Sequence, residues 1–141
     1  MKKILFIILA IALASCKGTD EDMELRRYQY FIYNKSGHNV DINELKTKTN
    51  TVVRNHHLSI DDSTIIITEY SDDLVSPFGA GDVIIIFDDT LKYNCSTHDF
   101  KTCCDPISYK SKFCNDTITA MEYSITDDDY NKIVNILKEE Q

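Results

Sequence analysis

From Leu25 to Ile125 apolar residues recur at every second position in short runs, and Asp, Asn, Ser or Gly closes nearly every run. That rhythm narrows the fold more than any other feature. Successive side chains of an extended chain leave opposite faces, so each run reads as a strand with one buried and one wetter side. Tyr28, Tyr30 and Ile32 alternate with Gln29, Phe31 and Tyr33, and after Asn34-Lys35-Ser36-Gly37 the residues Val40 and Ile42 alternate with Asp41 and Asn43. The pair predicts a β-hairpin with Gly37 supplying a positive φ. Val52 to Ile60, with Leu58 and Ile60 on one face, and Thr64 to Tyr70 predict a second hairpin, turned at Asp61-Asp62-Ser63.

Ser71 to Asp82 lacks periodicity and contains Pro77-Phe78-Gly79; Val83 to Phe87 then gives five consecutive apolar residues. Such a run belongs at the centre of a sheet with both faces buried. Asp88-Asp89-Thr90 turns the chain into Leu91, Tyr93 and Cys95, residues 95–114 read as irregular, and Ile118 to Ile125 is a strand with Met121, Tyr123 and Ile125 on one face. The period then changes to that of a helix: Tyr130, Ile133, Val134 and Leu137 follow Thr126-Asp127-Asp128-Asp129. Thr126 is placed to cap, with Asp129 at the third helical position, and the acidic first turn complements the helix dipole. The expected fold is mainly β: six or seven strands in a single small β-sandwich or barrel-like domain over residues 25–141, with one short C-terminal α-helix.

Cys95, Cys103, Cys104 and Cys114 all fall in one short segment. In an oxidising compartment an even set reads as two disulfides. Neighbouring Cys103 and Cys104 cannot bridge each other, which leaves Cys95–Cys103 with Cys104–Cys114, or Cys95–Cys104 with Cys103–Cys114. Closing each loop contributes about 2–3 kcal/mol. The competing reading is a zinc site using Cys95-Ser96-Thr97-His98. Zinc thiolate sites pair ligands two to four residues apart, a rhythm that adjacent Cys103-Cys104 breaks, so no metal is expected.

His56 and His57, adjacent on a strand, leave opposite faces and cannot share one metal; with His38 they read as solvated. The pairs Asp61-Asp62, Asp72-Asp73, Asp88-Asp89 and Asp127-Asp128 lack the spacing of a calcium loop and read as turn and cap residues. Gly79-Ala80-Gly81 precedes a strand instead of a helix, so it is a turn and not a phosphate cradle. No nucleophile motif and no cofactor motif is present, and the expectation is a protein that is not an enzyme.

The N-terminus has its own pattern. Met1-Lys2-Lys3 is followed by an apolar stretch from Ile4 to Ala14 and by Leu13-Ala14-Ser15-Cys16. As a helix the stretch covers only ~17 Å of a hydrocarbon core roughly 30 Å thick, which fits a cleaved signal better than a span. Leu13 to Cys16 resembles the lipobox of bacterial lipoproteins, and the acidic run Asp20-Glu21-Asp22 resembles the surface-export tether of lipoproteins from the Bacteroidetes group. The likeness extends to Pro77-Phe78-Gly79 with Val83 to Asp89 and to Tyr123 to Tyr130. It implies a signal peptide over residues 1–15, a lipidated tether over 16–24 with acyl chains (palmitate among them) on Cys16, and an outer-membrane location facing the cell surface sooner than the periplasm. Asp62-Ser63-Thr64, Asp89-Thr90-Leu91 and Asp116-Thr117-Ile118 resemble the O-glycosylation pattern of that group.

Removing residues 1–15 deletes two lysines and no acids, leaving 13 basic against 23 acidic residues, a net charge of −10. That balance opposes nucleic acid as a partner. The expected partners are the membrane, through the lipid, and a protein or glycan ligand, in a non-enzymatic recognition or accessory role. The alternative is an acidic inhibitor or immunity-type protein that binds a basic enzyme.

Overall fold

The computed structural model describes residues 26–46, 49–70, 76–79, 81–96, 101–115 and 117–141. The leader, Cys16 and the acidic tether lie outside the described residues, as do Asp72-Asp73, His98 and Asp116. Eight strands precede one helix: β1 (Arg26–Asn34), β2 (Val40–Leu45), β3 (Val52–Leu58), β4 (Ser63–Tyr70), β5 (Asp82–Phe87), β6 (Leu91–Asn94), β7 (Lys110–Cys114), β8 (Ile118–Ile125) and α1 (Asp127–Glu139). They form two four-stranded sheets, one ordered β4-β1-β8-β7 and the other β3-β2-β5-β6. All pairings are antiparallel except that of β1 with β8.

The chain is mainly β with a C-terminal helix, as its alternation requires, and the sheets stack as an open sandwich instead of closing into a barrel. Tyr28, Tyr30, Ile32, Ile66 and Ile125 of one sheet meet Val40, Ile42, Leu58, Val83, Ile85, Phe87 and Tyr93 of the other in one core. Ile133 of α1 and Phe78 of the β4–β5 connection join that core.

Two expected hairpins do not form. β1 and β2 lie in different sheets, and so do β3 and β4. Residues 34–39 carry the chain from one layer to the other, and the side chain of buried Asn34 holds the crossing. Its amide donates to the carbonyls of His38 (2.8 Å), Leu58 (3.1 Å) and Ser59 (3.0 Å), and its Oδ1 accepts from Ser36 N and Oγ. One amide thereby satisfies backbone groups of both crossings, which removes the need for a ladder between the strands. Gly37 is not left-handed; among the described residues the positive φ values fall on Asn50, Asp61, Asp88, Asp89 and Gly79. Asp and Asn tolerate that conformation better than other non-glycine residues.

The hairpin of β5 with β6 through Asp88-Asp89 does form. β5 is central, but only Val83, Ile85 and Phe87 are buried, while Ile84 and Ile86 remain partly exposed on the outer face. The segment expected to be irregular contains β7, whose register against β8 shifts between Ser111 and Phe113. Ile60 stands exposed in the turn after β3 instead of sharing the buried side of Leu58. At α1 the Asp129 carboxylate accepts from Thr126 N (2.8 Å) and Oγ1 (3.0 Å), so the expected cap is present.

Candidate functional site

The stapled loop is the first component. A disulfide joins Cys95, just after β6, to Cys104, with Cα atoms 6.2 Å apart. The partner bridge does not follow: Cys103 is a free, fully buried thiol, so the pairing Cys103–Cys114 is corrected along with the alternative set containing Cys95–Cys103. Adjacent residues of the turn point opposite ways. Cys104 reaches outward to Cys95, while Cys103 enters the core near Tyr109, whose hydroxyl donates to the Cys103 carbonyl at 2.8 Å. Burial first, and then the Asp129 carboxylate, push the Cys103 thiol far above its ordinary range. It behaves as a small core residue. Cys114 ends β7 with Sγ 3.5 Å from Thr119 Oγ1.

The connection between β4 and β5 meets the disulfide-closed loop at one point, where Ser76 Oγ donates to the Cys104 carbonyl at 3.4 Å. Phe78 is buried beside this contact and its ring lies 6.2 Å from that of His56. His56 and His57 do leave opposite faces, but His56 is not solvated. Its Nε2 is 2.9 Å from Glu44 Oε1, with both side chains nearly buried, and Arg54 adds a longer contact at 3.4 Å. His57 pairs with Asp41 at 2.9 Å on the open face. Glu44 and His56 lie on the paired strands β2 and β3, so their contact braces that ladder.

His38 is likewise engaged: its Nδ1 bonds Asp88 and its ring stacks on Tyr130. Three acidic turns converge on this crossing. Lys35 meets Asp61 at 3.3 Å, Asp88 accepts from Asn39 N at 2.9 Å, and Asp127 accepts from Gly37 N at 2.8 Å. Read singly in the sequence, these aspartates are turn punctuation; the fold gathers them at one end of the sandwich.

The outer face of the β3-β2-β5-β6 sheet carries an open dish of about 530 Å³. Its floor is Ile84 and Ile86, and polar groups of Asn43, Asn50, Asp82, Lys92, Asn94 and Ser96 surround it. Three of these side chains, Asn43, Asn94 and Ser96, are held by hydrogen bonds to their neighbours. Asn43 Oδ1 accepts from Asn55 at 2.6 Å, and Asn94 Oδ1 accepts from Ser96 N (3.0 Å) and Oγ (2.8 Å). Ser96 follows Cys95 directly, so the disulfide fixes one rim. At the same end of the sheet Gly81, just before Asp82, is packed so closely that a Cβ there would lie 2.6 Å from the Leu45 carbonyl oxygen. With one aspartate and one lysine the rim has little net charge, although the chain is acidic. Amides, a hydroxyl and an aliphatic floor suit a neutral ligand rich in hydrogen-bonding groups. The sequence gives no period or motif that joins these residues; only the outward positions of Val83–Phe87 hint at the floor. Comparison with protein-family models, with curated proteins and with solved structures finds no match to the chain.

Proposed function

We propose that the chain is a non-enzymatic recognition lipoprotein, anchored through acyl chains on Cys16 and displayed at the surface of the outer membrane. Its ligand is a neutral, hydroxyl- or amide-rich group, a glycan or an extended peptide, taken in the dish over Ile84 and Ile86. The observation that carries the reading is the set of hydrogen-bonded side chains Asn43, Asn94 and Ser96 around the dish, beside a disulfide-held rim. Preorganised polar groups lose little conformational entropy when a ligand arrives, which is what a recognition surface requires. The test is a screen of the purified chain against glycan and peptide arrays, repeated with Ser96→Trp, an exposed substitution whose indole would fill the dish. Binding should fall at least about tenfold. A ligand held equally well by Ser96→Trp removes the dish from the reading.

A second reading, an inhibitor of a basic enzyme, draws support from the acidic end formed by Asp61, Asp62, Asp88, Asp89, Asp127 and Asp128. Association with such a partner would slow steeply as salt rises, because charge complementarity steers the encounter. Ligand capture insensitive to salt favours the dish over the acidic end.

A further inference from the structure

We infer that β4 is a self-association edge at which a second copy of this chain adds its own β4, antiparallel about a two-fold axis at Ile66. Strand β4 is the outermost strand of its sheet and, among the described residues, its outer side pairs with nothing. Unpaired edges are templates for another strand, and proteins usually blunt them with charge, proline, bulges or short length. The other three edges are blunted. β7 carries Lys110 and Lys112 and a register shift, β3 carries Arg54 and His57 with a register shift against β2, and β6 has only four residues, one of them Lys92. β4 has none of these guards. It runs for eight residues in unbroken register with β1, and its one charge, Glu69, is held by Arg27 at 2.9 Å.

The sequence of the strand says what fits there. Thr64-Ile65-Ile66-Ile67-Thr68 reads the same in both directions. An antiparallel partner centred on Ile66 therefore sets Ile65 against the partner's Ile67, Thr64 against the partner's Thr68, and Ser63 against the partner's Glu69. No like charges oppose each other. Ile65 and Ile67 are 54% and 56% exposed and stand beside Phe31 and Gln29 of β1, so the pairing covers the most apolar part of that outer face. An independent observation points the same way: Thr68 Oγ1 is buried without a hydrogen-bond partner. Cross-strand threonine hydroxyls bond one another, and the partner's Thr64 supplies the missing group. A two-fold contact uses one patch twice and closes on itself; with the β7 edge guarded, assembly stops at two copies.

The test uses the full chain in detergent, with a photo-reactive benzoylphenylalanine replacing Ile65 and the crosslinked peptides mapped by mass spectrometry, alongside sedimentation of the unsubstituted chain. The expected result is a dimer crosslinked from position 65 to the partner's residues around Ile67. Ile65→Lys/Ile67→Lys should weaken it at least about tenfold with an unchanged circular dichroism spectrum. Ile65→Thr/Ile67→Thr, which keeps strand propensity, probes the same contact should the lysine pair unfold the sheet. A chain that sediments as a monomer at every concentration overturns the inference. So does a dimer that persists in both double variants, which the lipid or the micelle would then be holding. Crosslinks from position 65 only to a different protein would reassign the edge to a foreign strand.

Discussion

The imidazole of His38 lies stacked on the ring of Tyr130, centroids 3.8 Å apart and planes 14° from parallel. The contact joins the crossing between the sheets to the C-terminal helix, and Phe87 closes the group edge-on at 5.4 Å from Tyr130. The helix is therefore held by an aromatic contact as well as by Ile133 in the core.

Asp88 gives that contact a pH dependence. The hydrogen bond from His38, then the Asn39 amide, hold its carboxyl below the ordinary value of 3.8. A carboxyl lowered in the folded state adds stability that is complete above its unfolded value and is lost as pH falls through the folded one. The group is exposed, so the effect is modest and screened by salt. Urea midpoints measured from neutral pH down to the acid limit should fall less steeply for Asp88→Asn than for the unsubstituted chain. Equal acid limbs in the two proteins would show that Asp88 carries none of this dependence.

Gly81 tests the dish through backbone packing alone. Any Cβ at this position meets the Leu45 carbonyl oxygen at 2.6 Å, and Leu45 ends β2 paired with Asp82, the residue that follows Gly81. Gly81→Ala should cost about 1–3 kcal/mol, the range for forcing an extra methyl into packed structure. Its neighbour Asp82 lines the dish, so ligand affinity should fall with stability. Denaturant midpoints and array binding measured on the same variant check both statements.

The cysteines separate by reactivity. Iodoacetamide should leave the Cys103 thiol untouched in the folded protein and label it after unfolding, since it is fully buried and only a thiolate reacts. Cys104→Ser removes the Cys95 bridge and should cost about 2–3 kcal/mol for so short a loop, while Ser96 and the rim of the dish loosen. Peptide mapping with and without denaturant decides the first point, and thermal unfolding decides the second.

Strand positions were legible because their signal is local. Tyr28, Tyr30 and Ile32 alternate, and they point into the core as alternation demands. Partners were not legible. Asn34-Lys35-Ser36-Gly37 has the composition of a hairpin turn, yet the Asn34 amide spends its donors on carbonyls of a second crossing, twenty-four and twenty-five residues away. Nothing in a local window reports that. β7 escaped for a related reason: Lys110-Ser111-Lys112-Phe113 has little apolar alternation, because Lys112 folds its ammonium over the rings of Phe31 (4.3 Å) and Tyr33 (5.5 Å). The dish is assembled from four strands and two turns, and its residues share no spacing along the chain.

The membrane anchor rests on a prediction that chemistry can decide directly. If Cys16 carries the lipid, growth with a labelled palmitate should mark the chain, and Cys16→Ala should abolish the label and leave the leader uncleaved. Two or more acyl chains make attachment stable where one alone is marginal, so the mature chain should stay with membranes through a high-salt wash, and the alanine variant should not if its leader is removed. Protease applied to intact cells then reports the side. Loss of the domain from intact cells places the dish and the β4 edge toward the medium, where glycans and host proteins are the ligands to screen. Protection until lysis turns both surfaces toward the periplasm and raises the inhibitor reading, because its acidic end would then face a confined set of basic enzymes. An unlabelled chain recovered in the soluble fraction would leave recognition to the dish but remove the membrane from the proposal.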